Sequence, residues 1–202
     1  MSELSSVQLL LWRTGTMLLV RGIRMYFQWE FDWLNLIQTW HTPVLDKVMV
    51  AVSSLGNAGI VWIVICGVLL CVKKYRRKGL LLMSSLLLDL VVCNFVLKTM
   101  VGRSRPCWLN ETVKLLVENP TDFSFPSGHT MAAFAAAPII YYANKKWGIA
   151  AYILAALIAF SRLYLYVHFP TDVLCGVVFG MGIAAFVLFI EKKNKSNDAG
   201  TK

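Results

Sequence analysis

The sequence has few acidic side chains and lacks the cysteine spacings of metal sites and disulfide frameworks. Among its 202 residues, 11 are Asp or Glu and 20 are Lys or Arg, which gives a formal net charge of +9. Four of the five cysteines lie within apolar runs, as small hydrophobic residues do, and Cys107 lies in a polar loop. The sequence has no CxxC pair, no Cys/His ligand spacing and no acidic cluster for paired magnesium ions, so we expect neither a metal nor another cofactor.

The positive charge is not distributed as in a nucleic-acid-binding protein. Lys and Arg are concentrated in short segments that separate or follow apolar runs, at residues 73–78, 145–146 and 192–202. This distribution is typical of the cytoplasmic loops of membrane proteins. We therefore expect the chain to contact a lipid bilayer and not nucleic acid.

The N-terminus also lacks a recognisable secretory signal. Its first apolar stretch contains Arg13, is followed by Arg21 and Arg24, and has no clear small-residue cleavage site. The three arginines fall on one side of a helical wheel, which favours an amphipathic helix in the membrane interface over residues 1–30. The alternative is a distorted transmembrane helix whose arginines reach the interface.

Long apolar runs dominate the rest of the chain, and the sequence is 57% hydrophobic. Five runs approach the roughly 20 residues with which a helix crosses a bilayer. They lie near residues 58–72, 79–98, 128–144, 147–166 and 171–190. We expect an all-α, polytopic transmembrane helical bundle of five to six spans. The membrane domain would cover residues 31–191, and a disordered, basic cytoplasmic tail would cover residues 192–202.

Three polar clusters lie at the ends of these runs. They are Lys98 with Arg105-Pro106, then Pro126-Ser127-Gly128-His129, then Ser161-Arg162 with His168 and Asp172. If the three basic segments are cytoplasmic, the alternation of the spans brings all three clusters to the outer face. The sequence therefore predicts one composite site outside the membrane and a cytoplasmic C-terminus.

The second and third clusters have the groups that phosphoryl chemistry requires. Ser127 and Gly128 would lie at a helix N-terminus, where unpaired N–H groups and the helix dipole favour an anion. Asp172 lies four residues after His168, so its carboxylate can orient the imidazole, which then looks like a nucleophile. The alternatives are an ordinary helix start and an interfacial histidine.

The first cluster and Arg162 supply positive charge. Arg105 and Arg162 can grip phosphate oxygens in a bidentate manner, and Lys98 adds a point charge. Taken alone, Lys98 and Arg105 would be read as a lysine reaching the interface and a loop arginine. Together, the three clusters favour phosphate binding and transfer of the phosphoryl group to histidine.

The order Lys98-x6-Arg105-Pro106, Pro126-Ser127-Gly128-His129, Ser161-Arg162-x5-His168-x3-Asp172 closely resembles the type 2 phosphatidic acid phosphatase family. This family is related to glucose-6-phosphatase and the vanadium haloperoxidases. The resemblance implies that His168 attacks phosphorus, that Asp172 orients it, and that His129 protonates the leaving oxygen and then activates water. It also implies that Lys98, Arg105, Ser127, Gly128 and Arg162 hold the phosphoryl oxygens.

This resemblance implies a multi-pass lipid phosphatase of the plasma membrane that acts at its outer face. Isoprenyl pyrophosphate (such as undecaprenyl pyrophosphate), phosphatidic acid and phosphatidylglycerol phosphate are the expected substrates. A phosphotransferase with the same intermediate, and a non-enzymatic lipid-phosphate transporter, remain alternatives.

Two charged residues fall outside these clusters. Arg103 has no assigned role. Asp89 lies nine residues before Lys98 and would face away from it on an ideal α-helix. We expect Asp89 to contact another helix, or a second copy of the chain in a homo-oligomer.

Overall fold

The computed structural model describes the backbone of residues 26–200 and the side chains of residues 26–197, and within this part the chain is all-helical. The interfacial helix predicted for residues 1–30 lies almost wholly outside the described residues. The helices are α1 Gln28–Gln38, α2 Pro43–Leu55, α3 Ile60–Cys71, α4 Arg76–Leu90, α5 Lys98–Val101, α6 Pro106–Leu109, α7 Gly128–Ala143, α8 Lys145–Tyr164 and α9 Pro170–Gly200. A 3-10 turn, Asn57–Gly59, connects α2 to α3, and a π-helical segment, Val91–Leu97, connects α4 to α5.

Helix α7 lies at the centre of the bundle and packs against α4, α8 and α9. Its middle is rich in alanine, and these small side chains let the neighbouring helices approach closely. Gly180 of α9 is part of the same contact, since a Cβ atom there would lie 2.4 Å from the carbonyl oxygen of Met131. The Gly176/Gly180 spacing thus marks a close helix crossing.

Four of the five apolar runs each coincide with one helix, and the run 79–98 covers most of α4 and the π-helical segment that follows it. By length and composition, residues 76–109, 145–164 and 170–197 are able to cross a membrane. Helices α2 and α3 would form a fourth span if the pair, which is bent by 49°, is counted as one. Helix α7 has 16 residues and is shorter than these spans.

Two predicted boundaries differ from the structure. Helix α1 begins at Gln28 and so crosses the domain boundary expected after residue 30. Helix α9 continues to Gly200, where the composition predicts a disordered tail from residue 192. Glu191 pairs with both Arg77 and Lys195, which anchors the start of this segment to α4.

The loop between α8 and α9 rests on a separate apolar cluster. Leu34 and Ile37 of α1, Met49 of α2 and the buried stretch 164–167 with Phe169 pack together. This packing fixes α1 and α2 against the loop that contains His168.

Candidate active site

A cavity of about 710 Å³ at one end of the bundle collects most of the predicted site residues. It is lined by six of the eight: Lys98, Arg105, Gly128, His129, Arg162 and His168. Lys98 begins α5, Arg105 directly precedes α6, and Gly128 and His129 begin α7. Arg162 lies near the end of α8, and His168 lies in the loop after it. Residues far apart in sequence therefore share one polar chamber.

His168 lies in the α8–α9 loop and is 1% exposed. Two residues earlier, Tyr166 has a positive φ of 60°, a left-handed conformation that is costly for a non-glycine residue. Tyr166 is held there by hydrogen bonds between its hydroxyl group and the side chains of Asn35 and Asn110. The loop that carries His168 is thus tightly constrained.

The hydrogen bonds of His168 define its tautomer. Arg105 Nη1 lies 3.1 Å from His168 Nε2. Since a guanidinium only donates, Nε2 must accept, and the proton of the neutral ring lies on Nδ1. Nδ1 faces Ser124 Oγ at 3.4 Å and Asp172 Oδ2 at 3.7 Å. Burial and the charges of Arg105 and Arg162 hold the pKa of His168 well below its usual value of 6.5.

Asp172 is fully buried in the first turn of α9 and is fixed through both oxygens. Its Oδ2 accepts hydrogen bonds from Ser124 Oγ at 2.5 Å and from the backbone N–H of Phe169 at 2.8 Å. Its Oδ1 accepts from Arg103. The carboxylate is thereby held next to the imidazole that it was predicted to orient.

Arg103, to which the sequence assigned no role, connects Asp172 to helix α1. Its guanidinium forms ion pairs with Asp172 and, at 2.6 Å, with Glu30 Oε2, and it lies over the ring of Phe169. Glu30 also accepts a hydrogen bond from Thr171 Oγ1 at 2.6 Å. Glu30 and Arg103 are both buried, so this network fixes the position of Asp172 from behind.

His129 is the second residue of α7, and its Nε2 lies 2.9 Å from Asn57 Oδ1. Its ring also packs against Gly56, where a Cβ atom would lie 2.7 Å from His129 Cδ2. Gly56 and Asn57 belong to the connection between α2 and α3. This connection therefore sets the orientation of the second histidine.

Lys98 and Arg105 share one carboxylate, that of Asp122, in the loop before α7. The Asp122 side chain is half-exposed, and Arg105 also donates to the carbonyl oxygen of Val167 at 2.8 Å. Partial burial acts to raise the pKa of Asp122, but the hydrogen bond from Lys98 and the charge of Arg105 outweigh it and lower the pKa to about 2. An anion thus already lies between the two cations that were predicted to bind phosphate.

The remaining phosphate-binding candidates differ in their placement. Arg162 is buried, donates to Ser53 Oγ and lines the cavity. Gly128 also lines it, and a Cβ atom there would lie 3.7 Å from Lys98 Nζ. Ser127 precedes α7, is buried, accepts a hydrogen bond from Thr130 Oγ1, and does not line the cavity.

Sequence patterns did not reveal Glu30, Asn57, Asp122 and Ser124. Glu30 lies in α1, Asn57 in the connection between α2 and α3, and Asp122 and Ser124 in the loop before α7, and only the tertiary structure brings them to the site. Among the described residues, no three His, Cys, Asp or Glu side chains lie together as a metal ion would require.

Comparison with known proteins gives consistent matches. The model of the PAP2 superfamily matches residues 78–196. The chain is 34% identical to an undecaprenyl-diphosphatase of Sulfolobus acidocaldarius over 73% of its own length and 71% of that protein's. It is 35% identical to phosphatidylglycerophosphatase B of Bacillus subtilis, over 72% and 74% of the two chains. The crystal structure of Aquifex aeolicus LpxE superposes with a TM-score of 0.71 and 31% identity, over 80% of this chain and 96% of that one.

Proposed function

Since this chain belongs to the PAP2 superfamily, we propose that it is an integral-membrane lipid phosphatase that works through a phosphohistidine intermediate. The observation that carries the proposal is the contact of Arg105 with His168 Nε2, which places the ring proton on Nδ1 and the lone pair on Nε2, beside a cavity lined by cations. The substrates are lipid phosphates or pyrophosphates, of the isoprenyl, phosphatidic acid or phosphatidylglycerol phosphate type. The names of the two relatives support this range.

In the first step, the Arg105 N–H that donates to Nε2 of His168 turns to a phosphoryl oxygen, and Nε2 attacks phosphorus. The N–P bond forms as the bond from phosphorus to the leaving oxygen breaks, and His129 donates a proton to that oxygen. The positive charge on the imidazole is stabilised by Asp172, which Arg103, Ser124 and the Phe169 N–H hold in place.

In the second step, water hydrolyses the phosphohistidine. His129, now neutral, takes a proton from water as its oxygen bonds to phosphorus, and the N–P bond breaks. The imidazole of His168 recovers its lone pair, and inorganic phosphate leaves. Asn57 supports this role because it orients the His129 ring.

The phosphoryl oxygens are bound by Lys98, Arg105, Arg162 and the N-terminal end of α7 at Gly128, whereas Ser127 does not line the cavity. Fixed cations and helix N–H groups stabilise the negative charge that develops in the transition state. Substrate replaces the carboxylate of Asp122 between Lys98 and Arg105, as one anion exchanges for another.

The phosphatase domain, residues 31–191, crosses the plasma membrane with five spans. Glu30, which directly precedes it, belongs to the same unit because it pairs with Arg103. The basic segments and the C-terminus are cytoplasmic, and the active site faces outside. The concentration of Lys and Arg in residues 73–78, 145–146 and 192–202 supports this orientation.

The test uses a lipid pyrophosphate labelled at its terminal phosphate and the detergent-solubilised protein. Wild type should release labelled phosphate and carry an acid-labile, alkali-stable label on histidine. His168→Ala should abolish both. His129→Ala should retain the labelled protein for longer, because hydrolysis of the intermediate loses its base.

Wild-type phosphate release by His168→Ala would exclude this residue as the nucleophile. Label transferred to an alcohol instead of water would identify a phosphotransferase. Lipid movement across vesicles without any phosphate release would identify a transporter.

A further inference from the structure

A second cavity, of about 570 Å³, adjoins the active site on its membrane side. The two cavities share Lys98, Asp122, Gly128 and His129. Away from these residues, the second cavity lies between α3 and α4, and its wall is almost wholly apolar. An apolar surface therefore adjoins the cations of the active site.

This lipid-side cavity opens towards the bilayer. Ile63, Leu87 and Leu90 line it and are 57%, 56% and 50% exposed. Large apolar side chains at this level of a membrane helix face lipid tails. A lipid can therefore place its phosphate among the cations while its chains extend sideways into the membrane.

Asp89 is the exception in this apolar wall. It is 6% exposed and lines the cavity, and its Oδ1 has no hydrogen-bond partner among the described residues. A buried polar oxygen without a partner is costly, and more so at membrane depth. A ligand in this cavity would supply the missing partner.

The prediction that Asp89 faces away from Lys98 is wrong, because the chain between them is not a regular α-helix. The π-helical segment Val91–Leu97 advances through a smaller angle per residue than an α-helix. As a result, Asp89, Asn94 and Lys98 all line the same cavity. They form a polar stripe that runs from the phosphate-binding cations into the apolar region.

The length of this stripe restricts the ligand. Nine residues separate Asp89 from Lys98, which corresponds to at most roughly 13 Å along the helix. A lipid whose phosphate lies at Lys98 can reach Asp89 with a polar atom only if that atom is several bonds away from the phosphate. An isoprenyl chain is hydrocarbon from its first carbon and offers the carboxyl of Asp89 nothing to bond.

We propose that Asp89 determines substrate class by hydrogen-bonding the polar linkage of a phosphorylated glycerolipid. The carboxyl group accepts from hydroxyl groups and, when protonated, donates to ester carbonyls. This inference rests on the proposed phosphatase function of the adjoining site. It makes a glycerolipid phosphate with a spaced linkage, such as phosphatidylglycerol phosphate, a better substrate than an isoprenyl pyrophosphate.

The experiment compares kcat/KM for phosphatidylglycerol phosphate and an isoprenyl pyrophosphate in the same detergent. Asp89→Leu should lower the value for the glycerolipid by roughly 10-fold or more, as expected when a hydrogen bond to substrate is lost, and leave the isoprenyl value unchanged. Asp89→Asn, which keeps a donor and an acceptor, should retain most of the glycerolipid activity. Ser84→Leu, on the exposed face of α4 away from the cavity, is the matched control and should change neither value.

Equal proportional effects of Asp89→Leu on the two substrates, or no effect on either, would overturn the role of Asp89. If Asp89→Leu does not fold, Asp89→Asn decides: a parallel loss on both substrates also overturns it. Failure of the wild type to release phosphate from either lipid would instead overturn the phosphatase function itself.

Discussion

At the scale of single residues, the state of His168 controls the chemistry that we propose. Its Nε2 accepts from Arg105, so the reactive nitrogen carries a lone pair and not a proton. Protonation at Nε2 would require the imidazolium to face a guanidinium inside a buried site. The same contact that positions the imidazole of His168 thereby keeps its Nε2 unprotonated.

This arrangement predicts an unusually acidic pH limit for the first chemical step. Because the pKa of His168 lies well below 6.5, lowering the pH through 6.5 should leave its ring neutral, and phosphoenzyme formation should continue. Protonation and loss of the step follow only when the pH reaches the lowered pKa. Rapid-quench measurement of labelled phosphoenzyme between pH 5 and pH 8 tests this.

The chain has three histidines, so ¹⁵N-histidine NMR in detergent gives an independent measurement. The signal that disappears in His168→Ala should not titrate near pH 6.5. A His168 signal with an ordinary midpoint would contradict the assignment of Arg105 and burial as the cause.

At the scale of helices, the close crossing of α7 and α9 positions His129 and Asp172. Gly180→Ala would place a Cβ atom 2.4 Å from Met131 O and 2.9 Å from Ala135 N, both of which are backbone atoms that cannot move aside. We expect a loss of about 1–3 kcal/mol in stability, as for other overpacked cores. The measurement is the thermal unfolding midpoint in detergent, together with phosphate release.

The matched control is Gly182→Ala, two residues along the same helix, where a Cβ atom would have no heavy atom within 4 Å. This substitution should leave the midpoint unchanged or slightly raised, because alanine favours a helix more than glycine does. A similar fall of the unfolding midpoint in both variants would show that any alanine substitution in α9 is destabilising, and that the close contact with α7 is not the cause.

Some features of the helices could be predicted from local sequence patterns, and others could not. Five apolar runs were recognised as helices because hydropathy reports burial and lipid contact directly. The face of Asp89 was predicted wrongly, because a π-helical segment has no clear sequence signature and changes the angular position of every residue before it. The continuation of α9 beyond residue 192 also differs from the expected tail, and the contact of Glu191 with Arg77 at its start joins helices that are far apart in sequence.

At the scale of the whole molecule, the proposed orientation places the active site outside and the basic segments in the cytoplasm. Thr121 lies in the loop at the cavity and Lys74 in the first basic segment, and both are exposed. In a variant without the five native cysteines, Thr121→Cys should react with a membrane-impermeant maleimide on intact cells, and Lys74→Cys should react only after the membrane is permeabilised. The reverse pattern would invert the topology.

The sequence alone determined the all-helical membrane class, the superfamily and six of the residues around the cavity. These follow from local signals, namely apolar run length, clustered basic residues and short motifs at span ends. Only the tertiary structure showed that Glu30 and Arg103 hold Asp172, that Asn57 contacts His129, and that Asp122 lies between Lys98 and Arg105. It also showed that Asp89, which was predicted to face away from Lys98, lines the lipid-side cavity. These features join residues from separate helices, and their positions depend on packing and on one irregular helical segment, which local sequence patterns do not encode.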